Sequence, residues 1–220
     1  MSTTFTEIHT GEFSGFLHQP ARPNGDAVAL THGAGGNCKM QLLLAAARAL
    51  AGAGYTVLRY DLPFRRKRPT GPPSGNGASD REGIQTAAEV ARTLVGGRVI
   101  IGGQSYGGRQ TTILCAEKPE VAHGLLLFSY PLHAPGKPVQ LRTGHFPDLR
   151  IPAHFVHGTR DPFGSPEEMR LAVQLIPSQT GLYFVQGAGH DLQSGKFDFE
   201  DAVVQPLYTL GFRPSKFDSA

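Results

Sequence analysis

The chain has 220 residues, of which 40% are hydrophobic and 18% charged, and its formal net charge is +3. This length is typical of one domain, and such a domain buries enough surface to form a core without metal or disulfide staples. The composition excludes collagen-like and disordered chains, and no apolar run approaches the roughly 18 residues that cross a bilayer. We therefore expect a single globular domain over residues 1–220.

Cysteine content and charge distribution narrow the class of protein further. Cys38 and Cys115 are too few for a disulfide framework, and neither belongs to a cysteine and histidine pattern typical of zinc sites. We expect no metal and no cofactor. The N-terminus lacks a basic segment followed by an apolar one, so a cytoplasmic location is the default. Basic residues cluster only at 65–68, so we expect neither a nucleic acid nor a membrane as partner, and the oligomeric state stays open.

The order of the predicted elements indicates an α/β fold. Short apolar or β-branched segments bounded by Gly, Pro or Asp predict six strands, at 27–30, 56–60, 99–101, 125–128, 154–156 and 182–185. Helices are predicted at 40–54, at 84–95, at 109–115, after an N-cap at Ser165, and at 199–210, where Pro206 should kink or shorten the helix. This alternation predicts a parallel sheet covered on both faces, with the chemistry at the carboxyl ends of its strands.

A candidate nucleophile follows the third predicted strand. Residues 102–108, Gly-Gly-Gln-Ser-Tyr-Gly-Gly, contain a G-x-S-x-G motif centred on Ser105. In this motif the serine occupies a sharp turn from strand to helix, which requires small residues two positions away on each side. The turn lifts the hydroxyl out of the sheet, and the N-terminus of the following helix favours developing negative charge. The alternative is a serine that merely occupies a tight turn.

A serine nucleophile needs a general base, and the base needs a carboxylate that orients it. In one arrangement of such enzymes the three residues follow the chain order Ser, Asp, His. Asp161 lies in the loop after the fifth predicted strand and His190 in the loop after the sixth, so both fall where the chemistry requires them. The alternatives are a turn-forming aspartate before Pro162 and a surface-loop histidine.

The negative charge that develops on a substrate carbonyl needs two backbone donors. One is expected from Tyr106, the residue after the nucleophile. The second is expected from the glycine-rich loop after the first predicted strand, Thr-His-Gly-Ala-Gly-Gly at 31–36, where we assign Ala34 and keep Gly35 as the alternative. A flexible turn that only leads into a helix is the other interpretation of this loop.

Four segments taken together resemble a known superfamily: HGAGG at 32–36, GGQSYGG at 102–108, HGTRDPFG at 157–164 and GAGHDL at 187–192. They resemble the α/β-hydrolases, and within them the compact, lidless branch of dienelactone-hydrolase-like proteins and the hydrolase-like domains of certain chromatin-complex subunits. The resemblance covers about residues 15–210. It implies a three-layer fold with a mostly parallel eight-stranded sheet, helices on both faces, a leading antiparallel hairpin at 5–17 and no cap domain.

One departure from that branch limits what the resemblance implies. Dienelactone hydrolases use a cysteine nucleophile, whereas this chain has Ser105 at that position, so lactone specificity is not carried over.

The segment between the fourth and fifth predicted strands shapes the expected pocket. It has about two dozen residues, five of them proline, which is too few for a cap domain. We expect one short helix near 139–142 and an open site that suits small or polar esters. Tyr130 and His133, with Gly35, are the candidate substrate-binding residues, although the first two can also belong to a proline-braced loop. His32, His157 and Asp61 are predicted to have structural roles.

The basic run at 65–68 begins a stretch rich in Pro and Gly that continues to residue 77. We expect a solvated surface loop there. The functional alternatives are recruitment of an anionic substrate, a nuclear address and contact with a phosphate backbone.

The residues together predict a serine hydrolase that cleaves carboxylic esters or thioesters of small or polar substrates through an acyl-enzyme. His190 would deprotonate Ser105, and Asp161 would orient the imidazole. The N–H groups of Tyr106 and Ala34 would hold the oxyanion. The alternative is a non-catalytic scaffold of hydrolase-like shape, and the retained nucleophile, acid and base argue against it. A P-loop nucleotide binder is excluded because no glycine-rich loop ends in Gly-Lys-Ser/Thr.

Overall fold

Eight strands form one sheet in the computed structural model, which describes residues 5–10, 13–193 and 197–212. The strands are β1 (Phe5–Thr10), β2 (Phe13–His18), β3 (Ala27–Thr31), β4 (Thr56–Tyr60), β5 (Val99–Gln104), β6 (Gly124–Phe128), β7 (Ala153–Gly158) and β8 (Thr180–Val185). The helices are α1 (Gln41–Gly52), α2 (Pro63–Lys67), α3 (Ala78–Leu94), α4 (Tyr106–Glu117), α5 (Pro166–Val173) and α6 (Gln205–Thr209). Short 3₁₀ turns lie at Pro119–Val121 and Phe146–Asp148.

The sheet is mostly parallel, as the sequence predicts. The strand order is β1-β2-β4-β3-β5-β6-β7-β8, and all strands from β3 onward pair in parallel. The predicted leading hairpin is also confirmed, because β1 and β2 pair antiparallel from Phe5 opposite His18 to Thr10 opposite Phe13. The carboxyl ends of β3 and β5 to β8 therefore meet along one edge of the sheet.

Two apolar cores lie on the two faces of the sheet. Along β3, Ala27 and Ala29 pack into the core that includes α3 and α4, whereas Val28 and Leu30 pack into the core that includes α1. This alternation arises because successive side chains of a strand point to opposite faces. Within the described ranges the longest helix, α3, has 17 residues, and no helix is long and apolar enough to cross a membrane.

The predicted last helix is interrupted as the sequence suggests. A π-helical turn at Glu200–Val204 precedes α6, and Pro206 lies in the first turn of α6. Proline has no N–H to donate to the carbonyl four residues earlier, which here belongs to Ala202. That carbonyl lies 2.7 Å from Nε2 of the buried His154 on β7 instead. The helical break thus ties the C-terminal segment to the sheet.

The connection between β6 and β7 contains no cap domain, and the structure describes every residue of it. The predicted helix at 139–142 is wrong, because the backbone forms turns there. Pro138 cannot donate a hydrogen bond, and the N–H of Arg142 donates to the carbonyl of Leu132 rather than to a preceding helical turn. A short, turn-rich connection leaves the sheet edge uncovered by any inserted domain.

Candidate active site

The carboxyl ends of four strands hold the residues that the sequence singles out. Ser105 follows β5, Asp161 follows β7 and His190 follows β8, while the loop at 31–36 follows β3. Because these strands are parallel and only β6 lies among them, between β5 and β7, the loops converge at one edge of the sheet.

Ser105 occupies a strained turn between β5 and α4. Its backbone has φ 50° and ψ −113°, a conformation that residues with side chains rarely adopt. The turn is held by the Ser105 N–H, which donates to the Phe128 carbonyl at the end of β6, and by the Arg109 N–H, which donates to the Ser105 carbonyl. The Ser105 side chain makes no capping bond to α4, so the hydroxyl remains available for other partners.

The two glycines that flank Ser105 are required by close packing. A Cβ atom on Gly103 would lie 2.2 Å from the Thr31 carbonyl oxygen, and one on Gly107 would lie 2.5 Å from the His32 carbonyl oxygen. These distances leave no space for a side chain, because the turn presses against the end of β3. The motif therefore fits the local geometry as the sequence predicts.

The structure brings Ser105, His190 and Asp161 into one line of hydrogen bonds. The Ser105 Oγ lies 2.8 Å from His190 Nε2, and His190 Nδ1 lies 2.8 Å from Asp161 Oδ2. Asp161 is buried, and its other carboxylate oxygen accepts the Phe163 N–H at 2.9 Å. In this arrangement the carboxylate accepts Nδ1–H, which leaves Nε2 free to accept the serine proton.

Phe163 and Gln104 contact His190 and were missed by sequence reasoning, while His157 lies beside Asp161. The Phe163 ring stacks on the imidazole with centroids 4.1 Å apart. The Gln104 side chain donates to the His190 carbonyl at 3.2 Å, from the position just before the serine. His157, predicted to be structural, is buried with Nε2 2.8 Å from the Gly164 carbonyl and 3.7 Å from Asp161. Phe163 could have been found from its position two residues after Asp161, but Gln104 has no distinctive sequence signal.

The loop after β3 forms a tight turn at the cavity. The Gly36 N–H donates to the Gly33 carbonyl, so Ala34 and Gly35 are the central residues of the turn. Among the described residues neither the Ala34 nor the Gly35 N–H has a hydrogen-bond partner. Tyr106 is the first residue of α4, where backbone N–H groups have no intrahelical acceptor. Ala34, Gly35 and Tyr106, the candidate donors of the sequence analysis, all line one cavity with Ser105.

The prediction of a solvated surface loop at 65–68 is wrong for its first residue. Residues 63–67 form α2, and Arg65 is only 6% exposed. Its guanidinium donates to the carbonyls of Ala34 at 2.7 Å and Gly36 at 2.8 Å. Three further carbonyls, of Arg68, Pro69 and Gly71, accept its remaining N–H groups. Arg65 therefore braces the turn that carries the Ala34 and Gly35 donors.

A second brace holds Tyr106. The carboxylate of the buried Asp80, on α3, accepts the Tyr106 hydroxyl at 2.7 Å and the Phe64 N–H at 3.0 Å. Burial, and then this hydrogen bond to Asp80, raise the pKa of the Tyr106 phenol, so the hydroxyl stays protonated and donates. The Phe64 and Tyr106 rings meet edge to face with centroids 5.6 Å apart. No sequence pattern marks Asp80 for this role.

A cavity of about 580 Å³ lies beside Ser105. Its walls come from the β3 loop, the start of α4 and the loops after β6, β7 and β8: Gly33, Ala34, Gly35, Gly36, Met40, Gln104, Ser105, Tyr106, Arg109, Pro131, Arg142, Phe163 and His190. The predicted lining residue Gly35 is among them. Volume and lining are suited to a small ligand.

Tyr130 and His133, also predicted to contact substrate, do not line this cavity. Tyr130 is 1% exposed, packs on Phe146 and donates its hydroxyl to the Arg142 carbonyl at 3.0 Å. His133 is buried, with Nδ1 2.8 Å from the Ala134 carbonyl and Nε2 3.4 Å from the Glu168 carboxylate. Both side chains brace the loop, which was the alternative interpretation.

No group of three His, Cys, Asp or Glu side chains in the described part of the chain is arranged to hold a metal ion. His32, in the loop after β3, has Nδ1 2.8 Å from the Gly33 carbonyl and accepts the Leu62 N–H at Nε2. Asp61 accepts the Cys38 N–H at 2.6 Å. Both residues therefore have the structural roles that the sequence predicts.

Comparison with known proteins gives a consistent result. A family model described as an alpha/beta hydrolase domain matches residues 24–202. Dienelactone hydrolase from Anabaena variabilis is 17% identical, with a TM-score of 0.68 over 96% of this chain and 96% of that chain. Est1E from Butyrivibrio proteoclasticus, with ferulic acid bound, is 15% identical, with a TM-score of 0.73 over 93% of this chain and 98% of that chain. A serine hydrolase without a lid from Xanthomonas campestris is 16% identical, with a TM-score of 0.70 over 97% and 96%.

Proposed function

Because the chain belongs to the alpha/beta hydrolase family, we propose that it is a serine hydrolase that cleaves carboxylic esters or thioesters of small or polar substrates. Its fold is that of the lidless branch. The observation that carries the proposal is the pair of 2.8 Å contacts that joins Asp161 to His190 and His190 to Ser105. A non-catalytic scaffold has no need for a serine aligned with an imidazole and a buried carboxylate.

Acylation follows from this alignment. Ser105 Oγ attacks the carbonyl carbon of the ester while His190 Nε2 accepts the serine proton. The carbonyl oxygen becomes an oxyanion, which the N–H groups of Tyr106 and Ala34 hold, with Gly35 as the alternative second donor. The C–O or C–S bond then breaks, and the alcohol or thiol leaves with the proton from His190. Asp161 stabilises the imidazolium throughout and keeps Nδ1 protonated.

Deacylation repeats these steps with water as the nucleophile. His190 accepts a proton from water, the resulting hydroxide attacks the acyl carbon, and the same N–H groups hold the second oxyanion. The bond to Ser105 Oγ breaks, and the serine recovers its proton from His190. One ester and one water give one acid and one alcohol.

Two known structures support this class of substrate by analogy of fold. Est1E was solved with an aromatic acid, ferulic acid, bound, and the Xanthomonas protein is described as a serine hydrolase without a lid. The cavity of about 580 Å³ beside Ser105 favours acyl groups of comparable, modest size.

Replacement of the nucleophile is the direct test. We expect Ser105→Ala to lower kcat on p-nitrophenyl acetate on the order of 10⁴-fold or more, because only oxyanion binding and orientation remain. The midpoint of thermal unfolding should stay within a few degrees, since the serine hydroxyl makes no bond that holds the turn. A fluorophosphonate probe should label the wild-type chain at Ser105 and leave the variant unlabelled.

Ser129 provides a matched control. It also has a positive φ, 48°, after a parallel strand, but its Oγ is buried without a partner and it does not line the cavity. Ser129→Ala should therefore keep both labelling and turnover. Turnover near the wild-type value in Ser105→Ala, or labelling at another residue, would exclude the proposed mechanism.

A further inference from the structure

Two arginines line the same cavity as Ser105. Arg109 lies on α4, one turn after the serine, and Arg142 lies in the connection between β6 and β7. Side chains of a helix incline toward its N-terminus, so Arg109 extends back along α4 toward Ser105. Four residues of helix span roughly 6 Å, so a small ester bound at Ser105 is long enough to reach the Arg109 guanidinium.

Neither guanidinium has a partner within the described part of the chain. Their backbone groups are hydrogen-bonded, but no hydrogen bond or ion pair joins either guanidinium to any of those side chains or carbonyls, and the Arg109 Nε is buried without an acceptor. Buried polar groups are nearly always satisfied, and arginine in particular is seldom buried unless it is paired. The terminal N–H groups of the two guanidinium groups therefore remain available to a ligand in the cavity.

The two positive charges also repel each other. Burial, and then the charge of Arg109, lower the pKa of the Arg142 guanidinium. Among the lining residues there is no aspartate or glutamate that could offset this repulsion. Two like charges that interact in this way are unfavourable until an anion binds near both.

We propose that Arg109 and Arg142 form a subsite for an oxyanion on the substrate, so that the preferred ester carries a carboxylate or a phosphate close to the bond that is cleaved. The proposal rests on the proposed serine hydrolase function and names its substrate class. The fork of a guanidinium matches two oxygens of either anion, and hydrogen bonds between charged partners are stronger than those between neutral ones. None of the basic residues at 65–68, which the sequence suggests for recruitment of an anionic substrate, lines this cavity. The arginines that line it are Arg109 and Arg142.

Matched substrates test the subsite. The p-nitrophenyl monoester of adipic acid carries a carboxylate, its methyl ester is the neutral counterpart, and p-nitrophenyl 5-phosphonopentanoate carries the other anion. For the leaving group, 4-carboxyphenyl acetate is paired with its methyl ester. After correction for spontaneous hydrolysis, we expect kcat/KM of the wild type to favour the anionic member of at least one pair by about 10- to 100-fold. Comparison of carboxylate with phosphonate then identifies the anion.

Single substitutions locate that preference. Arg109→Gln and Arg142→Gln should each lower the ratio of kcat/KM for the anionic over the neutral ester by about 10-fold or more. Arg66→Gln is the control, because it removes the same charge from an exposed position that does not line the cavity. Its ratio should stay within about 2-fold.

The outcomes separate the subsite from the proposed function. If the probe labels Ser105 and neutral esters are hydrolysed, but no pair shows an anionic preference, the subsite is excluded and the hydrolase remains. An equal fall of the ratio in Arg66→Gln would also exclude it, because general attraction would then explain the preference. If no ester is hydrolysed, binding of adipate to Arg109 and Arg142 decides the subsite independently of catalysis.

Discussion

Arg65 supports the loop at 31–36, which lines the cavity beside Ser105, whereas Arg109 and Arg142 line that cavity themselves. Arg65 is buried, and its guanidinium donates to five backbone carbonyls. The pair lines the same cavity without a hydrogen-bond acceptor in the described part of the chain. A guanidinium has five N–H donors, so Arg65 has none left for a ligand, whereas the pair has nearly all of them.

Arginine therefore has two roles in this protein, support of the backbone and binding of a ligand, and the two can be told apart. An arginine whose donors are filled by carbonyls holds the backbone, and its loss should affect all substrates equally. An arginine with free donors in a cavity contributes only when a ligand supplies acceptors, and its loss should depend on the charge of the ligand. Two measurements therefore distinguish Arg65 from the pair: the free energy of unfolding, and the ratio of kcat/KM for anionic over neutral esters.

Of the changes considered, Arg65→Met should have the largest effect on stability and on turnover. Several carbonyls lose a charged donor, so we expect the free energy of unfolding to fall by about 2 to 4 kcal/mol and the unfolding midpoint by about 5 to 15 °C. Because the turn at Ala34 loses its brace, kcat/KM should fall roughly 10- to 100-fold for anionic and neutral esters alike. Thermal unfolding measures the loss of stability, and kcat/KM on the matched anionic and neutral p-nitrophenyl esters measures the loss of activity.

Arg65→Lys keeps the charge with fewer donors and less reach, so it should lie between wild type and Arg65→Met in both measurements. If Arg65→Met does not fold, the lysine variant alone gives the result. A loss confined to anionic esters in either variant would place Arg65 with the ligand-binding arginines and remove the distinction.

Adipate should give the next largest effect, in an assay without turnover. At ten times its dissociation constant, an anion bound by Arg109 and Arg142 adds about 1.4 kcal/mol, or about 3 to 6 °C in the unfolding midpoint. Ser105→Ala should show the same rise, since the serine is not part of the subsite. The rise should vanish in Arg109→Gln, and a rise that persists there would assign the anion to another surface.

The sequence predicts the sheet well because its signals are local. Each buried strand, such as 99–101, is a short apolar or β-branched run near Gly, Pro or Asp, and Ser165, the predicted N-cap, forms a capping box with Glu168 at the start of α5. The helix expected at 139–142 fails because the N–H of Arg142 finds its acceptor in Leu132, a tertiary contact that no local pattern contains.

The candidate site likewise contains residues that local sequence signals identify and residues that only tertiary contacts identify. Ser105, Asp161 and His190 each follow a predicted strand in a recognisable order, so their proximity could be anticipated. Arg109 could also have been found, because it lies four residues after the serine on a predicted helix. Arg65 could not, since its acceptors at Ala34 and Gly36 come from a loop about thirty residues away. Whether the N–H donors of an arginine are bonded to carbonyls or remain available to a ligand depends on such tertiary contacts.

The smallest expected effect concerns His145, which reports on the charge of Arg109. Burial, and then Arg109, lower the pKa of His145 to about 4, while Asp148 raises it slightly. An unfolded histidine has a pKa near 6.5, so between pH 6.5 and 4 the unfolded state binds more protons. Stability is therefore fully present above pH 6.5 and falls as the pH drops toward 4, a window shared by His18 and His154.

Removal or neutralisation of the neighbouring charge should move this pKa upward. In an NMR titration, Arg109→Gln should raise the pKa of His145, because a repelling charge is lost while burial remains. Methylphosphonate, which unlike adipate remains ionised near that pH, should raise it in the wild type and in Arg65→Lys, since an anion near both arginines offsets the same repulsion. In Arg109→Gln methylphosphonate should have no effect. A pKa that methylphosphonate leaves unchanged in the wild type would mean that the anion binds away from Arg109, and Arg65 and the pair would no longer differ in what they offer a ligand.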